Sequence, residues 1–173
     1  DAISMQAISI FSYNPKGVLL NTAITKKTLL LKLIEAKATG LQGLYKLLTQ
    51  HKLPNQSFAT IDILLDTDED TISYVPNHFP KPLLWSFAEK RLHSLKEQPR
   101  KLCPGDFVFI CSPSLIRLYQ TEAVVADRIK KVLKFFSEEG LSSVVSMLQK
   151  DISYYATKNG FTEDLHLLVF QTL

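Results

Sequence analysis

The sequence predicts an α+β fold in which antiparallel β-sheet is covered by helices. Segments that alternate apolar and polar residues, together with short continuous apolar runs, cluster in the middle of the chain and recur at its end. Stretches with apolar residues at helical spacing lie before and after that cluster. Strands grouped between helical blocks are typical of such layered folds.

The first third of the chain predicts one strand followed by two helices. Residues 7–13 alternate apolar and small polar side chains, and residues 14–17 have the Asn-Pro-Lys-Gly composition of a turn. Apolar residues recur at helical spacing between positions 23 and 37, so we expect a helix there. A second amphipathic helix should begin at Leu41 and stop before Pro54, because proline cannot continue a helix.

The middle third predicts a group of strands. Four runs indicate strands, at residues 58–65, 71–75, 83–87 and 107–111. The first two flank an acidic turn at residues 66–70 and should form a hairpin, while residues 76–82 form a proline-rich loop. Residues 89–101 are polar and are expected to be exposed. The Pro-Gly-Asp turn at residues 104–106 leads into a continuous apolar run that suits a buried strand.

The last third predicts two amphipathic helices and a closing strand. In the first helix Val125, Ile129, Val132 and Phe136 share one face, and Gly140 ends it. The second helix runs from residue 141 to about residue 155 and ends before Gly160. Residues 165–170 form an apolar strand. No linker or internal repeat is visible, so residues 1–173 are interpreted as a single domain.

Composition narrows the class of protein. Hydrophobic residues make up 46% and charged residues 21% of the chain, the balance of a soluble globular protein, and the net charge of +3 does not indicate nucleic-acid binding. No apolar run is long enough for a transmembrane segment and no signal peptide is visible, so we expect a cytoplasmic location. Cys103 and Cys111 form no zinc motif; two buried reduced thiols are the favoured interpretation, with a disulfide left open.

Five segments, in order, resemble motifs of one phosphatase family. They are residues 12–18 (compared with D-V-S-G-K-G-V), 58–60 (F-A-T), 74–84 (A-G-H-x-P-P-L-L, with one extra residue), 102–112 (L-x-P-G-D-x-L-L-L-Y-S) and 162–169 (D-D-x-T-L-L-V). The family is that of the PPM-type (type 2C) serine/threonine phosphatases, in the SpoIIE-like bacterial branch. The resemblance implies a layered sandwich of two antiparallel β-sheets flanked by α-helices. The resemblance does not cover the family's first strands, which carry an early Gly-Asp motif; since eleven residues precede Ser12, that part is either missing from these residues or shortened.

The family resemblance also implies a chemistry. Its members hydrolyse phosphoserine or phosphothreonine with two Mg²⁺ or Mn²⁺ ions held by aspartates, and these hard cations require anionic oxygen ligands. Three positions depart from the ligand pattern: Ser12, Pro113 and Glu163 stand where the family has aspartate. Proline offers no side-chain oxygen, whereas Glu163 retains a carboxylate. The residues therefore predict that no metal is held.

Four further residues lie within the matched motifs. Lys16, Gly17, His78 and Asp164 are candidates for what is left of the catalytic cleft. His78 would serve as a general acid or as a structural loop histidine, but a loop residue without such a role is favoured.

These departures favour a catalytically inactive, phosphatase-like regulatory domain that binds a protein partner in bacterial signalling. The partner would be a phosphoprotein or an anti-sigma-antagonist-like protein, and dimerisation is left open. The alternative is a divergent metal-dependent protein phosphatase that uses Mg²⁺ or Mn²⁺ with Glu163 as one ligand. A third, weaker hypothesis is a structural or sensory domain of a larger signalling protein.

Other clusters carry no motif. The acidic residues 66–70 lack the glycine and the closing glutamate of an EF-hand, so a solvated turn is favoured. Ser112 and Ser114 lack the G-x-S-x-G pattern of a nucleophile elbow. Arg128, Lys130, Lys131 and Lys134 form a basic helix face, which is either simply solvated or docks an acidic partner or a membrane surface.

Overall fold

A computed structural model describes residues 5–13, 20–24, 28–36, 58–66, 69–163 and 165–172. The strands are β1 (Met5–Tyr13), β2 (Leu20–Ile24), β3 (Thr28–Ala36), β4 (Phe58–Asp66), β5 (Thr71–Asn77), β6 (Leu83–Ser86), β7 (Arg91–Ser94), β8 (Arg100–Lys101), β9 (Phe107–Cys111) and β10 (Leu165–Thr172). The helices are α1 (Pro113–Tyr119), α2 (Glu122–Phe136) and α3 (Leu141–Lys158), with a 3₁₀ turn at Ser137–Glu139 between the last two.

The strands form two five-stranded sheets. The first sheet has the order β1-β10-β9-β6-β7 and the second has the order β2-β3-β4-β5-β8. Every pair of neighbouring strands is antiparallel. The expected sandwich of two antiparallel sheets flanked by helices is therefore confirmed.

The helix predicted over residues 23–37 is wrong. Residues 20–24 and 28–36 are two antiparallel strands, paired from Leu20 with Leu33 to Ile24 with Leu29, and β3 pairs along its whole length with β4. A nearly continuous apolar run fits a strand between two others as well as it fits a helix, and spacing alone does not separate the two. The predicted turn at residues 14–17 and the predicted helix from Leu41 lie outside the described residues.

Most other elements agree with the sequence. The hairpin of β4 and β5, the buried strand β9, the long helices α2 and α3 and the closing strand β10 are all present. The polar stretch 89–101 is not wholly exposed, because it contains β7 and β8 and buries Leu95. Helix α1 was not predicted, because its seven residues, about two turns, give little periodic signal.

The core has two layers that share the first sheet. One layer lies between the sheets and includes Ile61, Ile72, Val108 and Ile110. The other lies between the first sheet and the helices. It includes Phe107, Phe109 and Cys111 from β9, Leu167 and Val169 from β10, and Ile129, Leu133, Leu148 and Ile152 from the helices. Successive residues of β9 thus enter different layers, which is why all five residues of this strand are apolar.

Candidate functional site

Strand ends of the first sheet bring the predicted positions together. Ser12 lies near the end of β1 and pairs with His166 near the start of β10. On the other side of β10, the backbone N–H of Ser112 donates to the carbonyl of His166 at 2.9 Å. Positions 12 and 166, on adjacent strands, and position 112, directly after β9, are therefore neighbours at one end of the sandwich.

The second sheet reaches the same end through a short connection. Residues 78–82 join the end of β5 in the second sheet to the start of β6 in the first. Asn77, the last residue of β5, pairs with Thr60 near the start of β4. His78 is exposed and has a φ of 55°, which suits the sharp change of direction that the chain makes between the sheets. Lys16, Gly17 and Asp164 lie outside the described residues.

The turn after β9 is held by serine hydroxyl groups. Ser112 Oγ accepts hydrogen bonds from the backbone N–H of His166 at 3.0 Å and of Leu115 at 3.4 Å, and it shares a 2.7 Å hydrogen bond with Ser114 Oγ. Ser112 thereby caps α1, and Pro113 occupies its first turn. Proline is well suited to that position, because the first N–H groups of a helix need no partner within the helix. Pro113 therefore stabilises the start of α1 and offers the site no side-chain oxygen.

The carboxylate of Glu163 pairs with the guanidinium group of Arg117. Its Oε2 accepts a hydrogen bond from Nε of Arg117 at 2.7 Å, and the two side chains are 51% and 42% exposed. Pairs this exposed are worth only about 0–1 kcal/mol. The importance of the contact is local, since the guanidinium neutralises a carboxylate at a position where the family resemblance implies a metal ligand.

A two-metal centre does not fit the described side chains at this end. Among the residues that the structure describes, no three His, Cys, Asp or Glu side chains converge as a metal site would require. Two divalent cations bring about four positive charges, and their affinity depends on the number of anionic oxygen ligands. Pro113 supplies none, and Glu163 is already paired with Arg117.

Two residues of this region were missed by the sequence analysis. Arg117 belongs to no motif. It could have been placed near this site only by predicting a helix from Pro113, because Arg117 then lies one turn after the start of that helix. Glu35 is the second. It is the penultimate residue of β3 and pairs with Ala59, the second residue of β4, the strand that begins with the F-A-T segment. The residues from Glu35 to Leu41 read E-A-K-A-T-G-L, which matches D-V-S-G-K-G-V in its acidic first and glycine sixth positions. This segment is a second placement for the first family motif.

The two cysteines are both free, but they differ in environment. Cys111 is buried, and burial, with a smaller effect of Glu122, raises the pKa of its thiol to about 12. Cys103 is exposed, so the expectation that both thiols are buried is wrong for this residue.

No protein-family model and no curated protein matches this chain. Solved structures do match it. The RsbU and RsbW domains of a Mycobacterium tuberculosis protein superpose with a TM-score of 0.67 at 12% identity, over 99% of this chain and 61% of that one. The PP2C phosphatase domain of SpoIIE from Bacillus subtilis, with a fragment of its regulatory domain, gives 0.67 at 7% identity, over 99% and 64%. The SiaA-PP2C domain of Pseudomonas aeruginosa gives 0.68 at 10% identity, over 95% and 85%. This chain thus spans less than two thirds of the first two structures.

Proposed function

We propose that this chain, which has the fold of the SpoIIE-like PPM-type phosphatase domains, is a catalytically inactive regulatory domain that binds a protein partner. In this proposal, Ser12, Pro113 and Glu163 occupy degenerate metal-ligand positions, and the cleft at this end of the sandwich no longer holds two metals.

The observation that carries the proposal is the pairing of Arg117 with Glu163. A carboxylate that accepts a 2.7 Å hydrogen bond from a guanidinium already has a positive charge beside it. A divalent cation at the same oxygen would have to displace Arg117 or share the carboxylate with it. Displacement loses the ion pair with Arg117, about 0–1 kcal/mol, and sharing adds repulsion between the two cations, so metal affinity falls in both cases. Pro113 supports the same conclusion, because it removes one anion from the other side of the turn.

The structural neighbours support a regulatory protein as the class of partner. One of them is the PP2C phosphatase domain of the cell fate determinant SpoIIE, and another contains RsbU and RsbW domains. We propose a phosphoprotein or an anti-sigma-antagonist-like protein as the partner. A domain that keeps the fold and loses the metals can still recognise such a protein, since recognition and hydrolysis depend on different groups.

Glu35 favours a second candidate, a divergent metal-dependent phosphatase. If the first family motif lies at the end of β3 and not at the end of β1, its leading position is Glu35 and keeps a carboxylate. The chain would then offer Glu35 and Glu163 as anionic ligands, with Pro113 as the one clear loss.

Metal titration separates the two candidates. Calorimetry with Mn²⁺ at millimolar concentration and hydrolysis of p-nitrophenyl phosphate should show neither saturable binding nor metal-dependent turnover in the wild-type chain. Saturable binding with metal-dependent turnover would instead establish the phosphatase. Turnover should then be lost in Glu35→Gln and kept in Ser12→Ala.

A pair of variants tests the site directly. Pro113→Asp combined with Arg117→Ala returns an anion and removes the competing cation, so Mn²⁺ affinity should rise by roughly tenfold or more, the scale seen when groups around a metal change. The matched control is Pro113→Asn with Arg117→Ala, which has the same shape without the charge, so it gains only what the removal of Arg117 gives and should bind Mn²⁺ more weakly than the Asp variant. If the Asp and Asn variants behave alike, the placement of the metal ligands at this turn is wrong.

A further inference from the structure

Large apolar side chains are exposed on the outer side of the helix layer. Among the described residues, Val124 is 38% exposed, Phe135 is 77% exposed and Tyr154 is 60% exposed. The first two lie on α2 and the third on α3. The fourth exposed large apolar residue among those described, Val75, lies on β5 of the second sheet. Isolated exposed apolar residues are ordinary, but three on two adjacent helices form a pattern.

Lysines surround these side chains. We define the basic face as Lys130, Lys131, Lys134 and Phe135 of α2 with Tyr154 and Lys158 of α3, all of which are exposed. The exposed charges of α2 are Lys130, Lys131 and Lys134 against Glu122 and Asp127, so its outer side is net positive. The ammonium group of Lys158 lies 5.8 Å from the centre of the Tyr154 ring, which places cation and aromatic ring side by side.

The two helices pack against each other. Arg128 of α2 pairs with Asp151 of α3, with 3.5 Å between Nη1 and Oδ1, and also donates a hydrogen bond to the hydroxyl of Tyr155. Its guanidinium lies 4.4 Å from the centre of the Tyr155 ring. Arg128 is therefore used inside the layer, and the cations that face outwards are lysines.

We propose that the basic face binds the surface of a membrane containing anionic lipid. Lysines act as point charges that need no fixed geometry, which suits a plane of phosphate and carboxylate headgroups. Protein interfaces instead favour arginine and deplete lysine, and they place anchors in pockets. The concavity here is an open hollow of about 420 Å³ lined by Ser153, Tyr154, Thr157 and Lys158, which offers no enclosed pocket for an anchor.

The helices remain part of the core when the face is bound. The opposite side of α2 buries Val125, Ile129 and Leu133 against the first sheet, so the helix does not insert. Only the ring of Phe135 and the ring of Tyr154 reach the headgroup layer. Binding is therefore peripheral, mainly electrostatic and weakened by salt. It does not depend on the metal-ligand positions at the end of the sandwich.

Vesicle sedimentation tests the proposal on the whole chain. The wild-type protein should sediment with vesicles of phosphatidylcholine and phosphatidylserine, should remain in solution with phosphatidylcholine alone, and should dissociate as salt is raised. Lys131→Gln combined with Lys134→Gln should weaken binding about twenty-five-fold, since each lysine near such a surface contributes about fivefold. Phe135→Ser should weaken it further without changing the dependence on salt.

The matched control is Lys96→Gln combined with Lys101→Gln, which removes two exposed lysines from the segment around β8 in the other sheet. This variant should bind like wild type. Far-ultraviolet circular dichroism should show the same helix content for every variant. Equal binding to both kinds of vesicle, or equal weakening by the control pair, overturns the proposal. An absence of vesicle binding also overturns it and leaves an acidic protein as the ligand of this face.

Discussion

Asp106 holds the turn before β9 to the residue after β6 through its carboxylate, and to the end of β10 through its backbone. Oδ1 accepts a hydrogen bond from the backbone N–H of Phe87 at 3.0 Å, and Oδ2 accepts one from that of Cys103 at 2.9 Å. The backbone of the same residue exchanges hydrogen bonds with Thr172 at the end of β10. The residue is only 3% exposed. Replacing it should therefore disturb the junction of β6, β9 and β10 together.

The expected cost follows from the two side-chain contacts. A hydrogen bond to a charged group contributes about 1.5–3 kcal/mol, and a buried donor without a partner loses its hydration as well. Asp106→Ala removes both acceptors and should lower the free energy of unfolding by about 3–5 kcal/mol. Asp106→Asn keeps one acceptor and turns an amide donor toward the second N–H, so about half of that loss is expected. Against a typical stability of about 5–15 kcal/mol, the alanine variant would be severely destabilised.

Urea unfolding followed by tryptophan fluorescence measures this cost. The chain has a single tryptophan, Trp85, which is 1% exposed and lies between the first sheet and the helices. Asp127→Ala on the outer side of α2 is the control and should change stability by less than about 0.5 kcal/mol. If Asp106→Ala also costs less than about 1 kcal/mol, the carboxylate does not organise the turn in the way described.

Three further predictions concern stability and use the same unfolding assay. Gly105→Ala should cost about 2 kcal/mol, because Gly105 has a φ of +86° and an added Cβ would lie 2.9 Å from Cγ of Phe87; a neutral result would mean that the ring moves aside freely. The buried thiol of Cys111 should make the wild type lose stability as the pH rises above 9. Between pH 9 and the folded pKa of about 12, the thiol ionises in the unfolded state and stays neutral in the folded state. The loss is about 1.4 kcal/mol at pH 10, and it should be absent in Cys111→Ala. Tyr119→Phe should cost about 1–2 kcal/mol, because its hydroxyl donates to Asp151 at 2.7 Å; an unchanged midpoint would refute this.

The sequence was most informative where burial alone decides the pattern. Strand β9 was predicted because five consecutive apolar residues between turn signals fit a strand covered on both faces, and the two core layers explain why none of the five is polar. Strand β3 was predicted as a helix because its apolar run also fits helical spacing. What makes it a strand is its pairing with β2 and β4, a long-range contact that local spacing does not record.

The candidate site was predictable in part for a related reason. Positions 12 and 113 were predicted from motifs, and the ends of β1 and β9 that carry them lie at one end of the sheet because both strands pair with β10. The pairing of Arg117 with Glu163 joins residues 46 positions apart. No motif contains both, so it becomes visible only when α1 is placed beside the start of β10.

Fold and site depend on different residues in this chain, and this explains how one can persist while the other changes. The core takes its residues from the middles of β9 and β10 and from the inner sides of the helices. The proposed ligand positions lie where these strands end, and there the local requirement is for a residue that turns the chain. Pro113 meets that requirement because it starts α1 under the cap of Ser112. Under the proposed placement, the absence of a carboxylate at position 113 costs the fold little and affects mainly the affinity for metal. Placing a charge at position 113 tests this separation, since metal affinity should change while the unfolding midpoint stays nearly constant.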